Sequence, residues 1–429
     1  MSKSITQLPA KTTIADTDIL PIVSGGINYK VEFSNLRSAG TLAGRVAYVD
    51  ATYGSDATGQ LRNQSKPYKT IAAAQTAVSA LSNYTIMIMP GAYTDTDLGG
   101  TFTNYYFMPG ATLTSNGNCF TDGGGNMFFK VLGYGVFSST GTGGKAVCYL
   151  TGSISNVVFN GINSTGNDRC FWVENGARLN VEMSDYIYSK DEAALRVDTD
   201  ASANSILTVK TRLIEAETVL LQTKNGQANG TIYVTADTLT LNTTGTNYSF
   251  MEQIGGSIYI NANCSQSTVG TLSMFNMSAG SVYCSVKGNI YNTAAVSTLS
   301  CAAGVFDSYG KISTTGKLVI NGGEVNLYNN VEGSVAASEV VSISTGTLRV
   351  MKRIVNLINN ASAHGIVTTG GTIILDGATI VLSNASAKSV YASTAKNIKI
   401  YYAVSNYAMD ANITNTITGT SMIVDIDVV

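Results

Sequence analysis

The stretch NDRCFWVENGARLNVEMSDYIYSKDEAALRVDTD (167–200) is crowded with charge, although the 429-residue chain is only 13% charged. Glu174, Glu182, Asp185 and Asp191 could supply the two carboxyl groups, about 5–10 Å apart, that cleavage of a glycosidic bond requires. Trp172, Tyr186 and Tyr188 stand close by in sequence, and aromatic rings beside carboxylates suit sugars, whose C–H faces stack on them. Trp172, Glu174, Asp185, Tyr186 and Tyr188 are therefore a candidate glycan-binding patch, expected to point outward. Arg169, Arg178, Lys190 and Arg196 are interleaved with the acids. Pairing among them would instead make a solvated or intersubunit charge belt. No spacing singles out one acid–base pair, so no catalytic pair is assigned.

Other chemistry has little to draw on. His364 is the only histidine, and the six cysteines (119, 148, 170, 264, 284, 301) show no CxxC spacing. A zinc site or histidine-based triad is not expected, and nothing calls for a cofactor or metal. The cysteines read as buried reduced thiols of a protein made in the cytoplasm. Net charge is −2, which offers no footprint for nucleic acid or anionic lipid. MSKSITQLPAKT has no apolar core of a secretory signal, and no segment approaches the roughly 18 apolar residues of a membrane span.

The elements that would position the patch are strands. All five prolines lie within the first 109 residues, leaving the rest free for continuous ladder pairing. TGKLVINGGEVNLYNN (315–330), TGTLRVMKRIVNLINN (345–360) and GGTIILDGATIVLSNA (370–385) align without gaps, with Gly316, Gly346 and Gly371 superposed. AKNIKIYY (395–402) continues the series 25 residues on. Gly230, Gly256 and Gly280 begin similar Gly-x-[IV]-x-[IVC] strands, and NGARLNVEM (175–183) is a plausible earlier copy. The 36-residue step from Gly280 to Gly316 suggests an inserted loop.

Such a unit cannot bury its inner face alone, but stacked on its neighbours it can. Period-two alternation excludes helical repeats. A β-propeller needs blades of about 40 residues and usually Trp motifs, and Trp172 stands alone. The expected fold is all-β, a right-handed parallel β-helix whose recurrent corner asparagines can adopt left-handed geometry and stack as a side-chain ladder.

Upstream, VAYVD (46–50) leads through a polar loop to KPYKTI (66–71). Ile71, Ala74, Val78 and Leu81 then fall at helical spacing, predicting an amphipathic helix over 70–83 that caps the first coil. YTIMIMPGAY (84–93) follows as a strand with a Pro-Gly turn. This arrangement over 45–95 resembles the start of pectate-lyase-like β-helix domains in bacteriophage tailspikes and tail fibres. ITQLPAKTTIADTDILPIVSGGINYKVEFSNLRS (5–38) resembles the short N-terminal module by which phage fibres attach to the virion. Leu8, Ile19, Leu20 and Leu36 would provide its small apolar face, with a hairpin over 23–31, and Tyr29 joins these four as attachment residues.

The resemblance implies four parts: an attachment module and linker (1–44), an incoming loop and capping helix (45–83), a shaft (84–410) and C-terminal strands (411–429). It also implies a virion appendage that binds other virion proteins through 1–40 and recognises a host-surface glycan. A polysaccharide-degrading spike and a purely structural virion protein are the alternatives. In SMIVDIDVV (421–429), Val424, Ile426 and Val428 share one face. Burying that stripe predicts a homotrimer locked at this end.

Overall fold

The computed structural model describes residues 19–24, 27–32 and 422–423 together with most of 45–402, short internal stretches excepted. The chain is 57% strand and 3% helix, and its stacked parallel coils form a β-solenoid. Each coil lays short strands onto three ladders. The first begins with Val46–Val49, Thr85–Ile88 and Asn104–Phe107 and extends to Ile398–Tyr402. The second runs from Gly91–Tyr93 and Ala111–Ser115 to Thr379–Leu382. The third runs from Phe120–Thr121 to Val390–Ala392. Long strands such as Arg178–Ser189 bend, giving their first half to the first ladder and their second half to the second.

Alternation puts every second side chain inside. Leu207, Ile232, Ile258, Cys284, Phe306 and Val325 follow one another in register on the first ladder, and all are buried. Each large apolar side chain so buried stabilises the stack by about 1.5–3 kcal/mol. Aromatic contacts reinforce the interior. Phe107 and Phe137 meet edge-to-face at 4.6 Å, and Phe306 meets Phe275 at 5.3 Å. All six cysteines are buried within this core. Burial raises the thiol pKa of Cys264 and Cys284, and brings that of Cys301 to about 11.

The register corrects the repeat alignment. Thr347 pairs with Thr372, so the 25-residue step between Gly346 and Gly371 holds. Leu348, however, pairs with Val325, and Leu318 pairs with Val341. The gapless match of 315–330 to 345–360 therefore joined strands of different ladders. Gly256 pairs with Val282, two residues past Gly280, and Gly371 pairs with Ile398. Between Gly280 and Gly316 lies Val305–Ser308, a strand of a further coil, rather than an inserted loop. Gly346 has φ +92°, and a Cβ there would sit 2.2 Å from the Gly323 carbonyl oxygen. Only glycine fits.

Asparagines meet the expectation in their side chains and depart from it in their backbone. Among the described residues, Asn175 is the only asparagine with positive φ. Others work through side chains: Asn263 Oδ1 accepts from Asn289 N–H, and Asn289 Oδ1 accepts from Lys311 N–H, one corner above the next. Asn384 Nδ2 likewise donates to Asn359 Oδ1.

The predicted helix, α1, spans Ile71–Val78 and buries Ile71, Ala74 and Val78. Its N-terminus is tied to the polar loop. Asp56 accepts from the backbone of Lys69 and Thr70 and from the Thr70 hydroxyl. Thr70 Oγ1 in turn caps Ala73 N–H. Leu81 lies past the helix end and is 39% exposed, so it does not join the buried face. The helix packs beside Val46–Val49 and Thr85–Ile88.

Upstream, Ile19–Ser24 and Ile27–Glu32 form an antiparallel hairpin pairing Leu20 with Val31 and Ile22 with Tyr29. Of the residues proposed for attachment, Ile19, Leu20 and Tyr29 fall in this hairpin, whereas Leu8 and Leu36 lie outside the described residues, and so do Val424, Ile426 and Val428. Met422–Ile423 pairs parallel with Ile398–Lys399, continuing the chain's own first ladder.

Candidate functional site

The 167–200 residues are spread around the coil by its bends. Trp172 belongs to the third ladder, Glu182 to the first, and Tyr186 and Tyr188 to the second, with Asp185 at the corner between the last two. Asp191 is exposed in the turn before Leu195–Asp198. The fold brings Trp172 and Glu174 together and sets Asp185, Tyr186 and Tyr188 on another side.

Trp172 is wedged between neighbours. Tyr149, one rung before it, lies against its ring at 4.6 Å, tilted by 39°. The guanidinium carbons of Arg169 and Arg196 each lie 4.6 Å from its ring centre. Both arginines are buried, and each meets an acid. Arg169 Nη2 donates to Glu192 at 3.0 Å, while Arg196 holds Asp198 through two bonds of 2.6 and 2.8 Å. Tyr149 donates to Glu174 at 2.6 Å. The charge-belt pairing thus forms for Arg169 and Arg196. Glu182 and Asp185 take cations from the next rung, Lys210 at 3.2 Å and Arg212 at 2.6 Å. Tyr188 donates to Glu217. Burial first, then that bond, raises the Tyr188 phenol pKa, and burial with the nearby Asp185 charge raises that of Tyr186.

A second site lies on the outer side of the first ladder, and sequence reasoning did not single it out. Tyr233 and Tyr259 pair in register and stack at 4.9 Å with rings 12° apart. They are 42% and 36% exposed. Tyr283 follows at 5.4 Å and donates to Asp307 Oδ2 at 2.7 Å. Asn326 Nδ2 donates to both Asp307 Oδ1, at 2.9 Å, and Glu324 Oε1, at 3.0 Å. Beside them Tyr309 and Tyr328 stack at 4.4 Å, nearly parallel. Burial, then the bond to Asp307, raises the Tyr283 phenol pKa. A groove of about 450 Å³ adjoins Tyr233 and Tyr259, with Lys210, Thr235, Asp237, Asn261 and Asn263 among its lining.

No protein-family model matches this chain, and no curated protein or solved structure matches it significantly. The site must speak through its own chemistry. Among the described residues no three His, Cys, Asp or Glu side chains cluster as a metal site, and no helix is long and apolar enough to cross a membrane. What the first face offers is a row of phenols, amides and carboxylates running along the stack. A signal for it did exist in the sequence: GTIYV and GSIYI place Tyr233 and Tyr259 at the same position of successive copies. Asp307, Glu324 and Asn326 left no such trace, because their meeting depends on coils of different length.

Proposed function

We propose that this chain is a bacteriophage virion appendage of the tail-fibre or tailspike kind, whose β-solenoid shaft recognises a host-surface glycan. The observation that carries the glycan reading is the row Tyr233–Tyr259–Tyr283 leading to Asp307 and Asn326. The stacked rings present edges and phenol hydroxyls beside amides and carboxylates, groups that hydrogen-bond sugars, and a polysaccharide laid along the axis would meet one rung after another. The phage reading rests on the resemblances of 5–38 and 45–95. In it, residues 1–40 attach to other virion proteins, α1 caps the first coil, and Val424, Ile426 and Val428 lock three copies together. Trp172 with Glu174, and Asp185 with Tyr186 and Tyr188 on another side, are kept as two further contact surfaces. Trp172 would contribute there through its ring edge, since Tyr149 and the two arginines lie over its ring.

Binding of the full-length protein to host cells and to a panel of surface polysaccharides tests this. Tyr259→Ala should weaken binding about tenfold or more, the scale of one lost aromatic contact among several, with the melting temperature shifted by a few degrees at most. Retained binding in Tyr259→Ala, with loss in Trp172→Ala, would move the contact surface to the Trp172 patch. Absence of binding to any cell or glycan would leave the purely structural alternative.

A further inference from the structure

Asp307 and Glu324 lie on neighbouring rungs and accept from a single atom, Asn326 Nδ2. Asp307 and Asn326 are each only 6% exposed, whereas Glu324 opens to solvent. Among the described residues no lysine or arginine pairs with either carboxylate. Arg349, the next rung's residue in line with Asn326, instead faces Asp376 at 3.8 Å. The donors holding Asp307 are neutral, the Tyr283 phenol and the Asn326 amide. A buried carboxylate without a counter-charge is costly.

An independent defect sits in the same place. Asn326 Oδ1 is buried and has no hydrogen-bond partner. An acceptor left empty inside a protein loses its hydration for nothing. One rearrangement turns that oxygen toward the two carboxylates and the amide nitrogen to the place it leaves. A half-turn of the Asn326 amide exchanges its nitrogen and oxygen, which have nearly the same shape. Oδ1 would then occupy the point that now lies 2.9 and 3.0 Å from the two carboxylate oxygens. Oxygens about 3 Å apart match the edge of a coordination shell whose bonds are about 2.3–2.6 Å.

We propose that Asp307, Glu324 and Asn326 bind a divalent cation of the calcium class, which clips two neighbouring rungs together. In the ion-free form the amide NH2 bridges the two carboxylates, and in the bound form the turned amide oxygen joins them around the cation. Exposed Glu324 gives the ion its path and leaves room for water ligands. Magnesium, which demands a tighter octahedron at about 2.0–2.1 Å, fits less well where strand register sets the oxygen spacing. The cation site stands whether or not a glycan binds the same face.

Terbium chloride titrated into the full-length protein tests this, because Tyr283, bonded directly to Asp307, can sensitise its luminescence. Saturable emission displaced by calcium, and a melting temperature that rises with calcium, are expected. Glu324→Gln, at an exposed position compatible with folding, should weaken the calcium response about tenfold or more. Glu332→Gln, an acid paired with Lys311 on the second ladder, should leave it intact. The site is overturned by an absence of both responses, or by a response unchanged in Glu324→Gln. Displacement by magnesium as effective as by calcium would overturn the calcium class.

Discussion

Around Trp172 the buried charges meet opposite charges: Arg196 holds Asp198 and Arg169 holds Glu192. Around Tyr283 the buried Asp307 meets only neutral donors. The two regions use similar residues, aromatic rings next to acids, on the outer surface of one solenoid. The first has its rings covered and its charges compensated, although the Trp172 indole N–H is buried without an acceptor, and its integrity comes from internal pairing. The second leaves ring edges, a carboxylate and a buried amide oxygen unanswered. Binding chemistry follows uncompensated groups more than local density of charge, and around Trp172 the dense charges answer one another.

The largest effect that separates the two regions should come from Asp198→Ala. It strands the Arg196 guanidinium in a buried site, and removing one member of a buried pair costs about 3–5 kcal/mol. The denaturant midpoint should drop accordingly; a loss under about 1 kcal/mol would show that the belt is solvated and unlike the closed network described above.

Tyr283→Phe should cost less, about 1–2 kcal/mol, because it removes one hydrogen bond to a carboxylate while keeping the ring. It should also change the alkaline response. Tyr188 and Tyr283 both have raised phenol pKa values, so the folded chain keeps protons that the unfolded chain releases above about pH 10. Their contribution is therefore complete below that pH and declines as pH rises further. Stability measured against pH should fall less steeply in Tyr283→Phe and in Tyr188→Phe. An unchanged slope in both would mean that these phenols titrate as they do in the unfolded chain.

Smallest of all should be Lys210→Ala. Lys210 and Glu182 are both well exposed, and such pairs contribute within about 0.5 kcal/mol. An appreciable loss of stability would place this corner inside the closed network. A change in ligand binding without one would tie Lys210 to the adjoining groove.

The sequence by itself determined the kind of structure. Strict alternation of β-branched residues, the absence of proline beyond residue 109 and recurrent glycines allow little except stacked strands, and the spacing of Ile71, Ala74 and Val78 marked the one helix found among the described residues. Some local chemistry was legible too, such as the arginines that pair around Trp172. Tertiary structure alone decided the register. Alternation reads the same on all three ladders, so it cannot say whether Leu348 lies over Leu318 or over Val325. The turns settle that. The step is 25 residues from Leu348 to Ile373, 22 from Cys284 to Phe306 and 19 from Phe306 to Val325. Because turn lengths vary, Asp307, Glu324 and Asn326 meet at one point, while Trp172 and Tyr188, only sixteen residues apart, fall on different ladders.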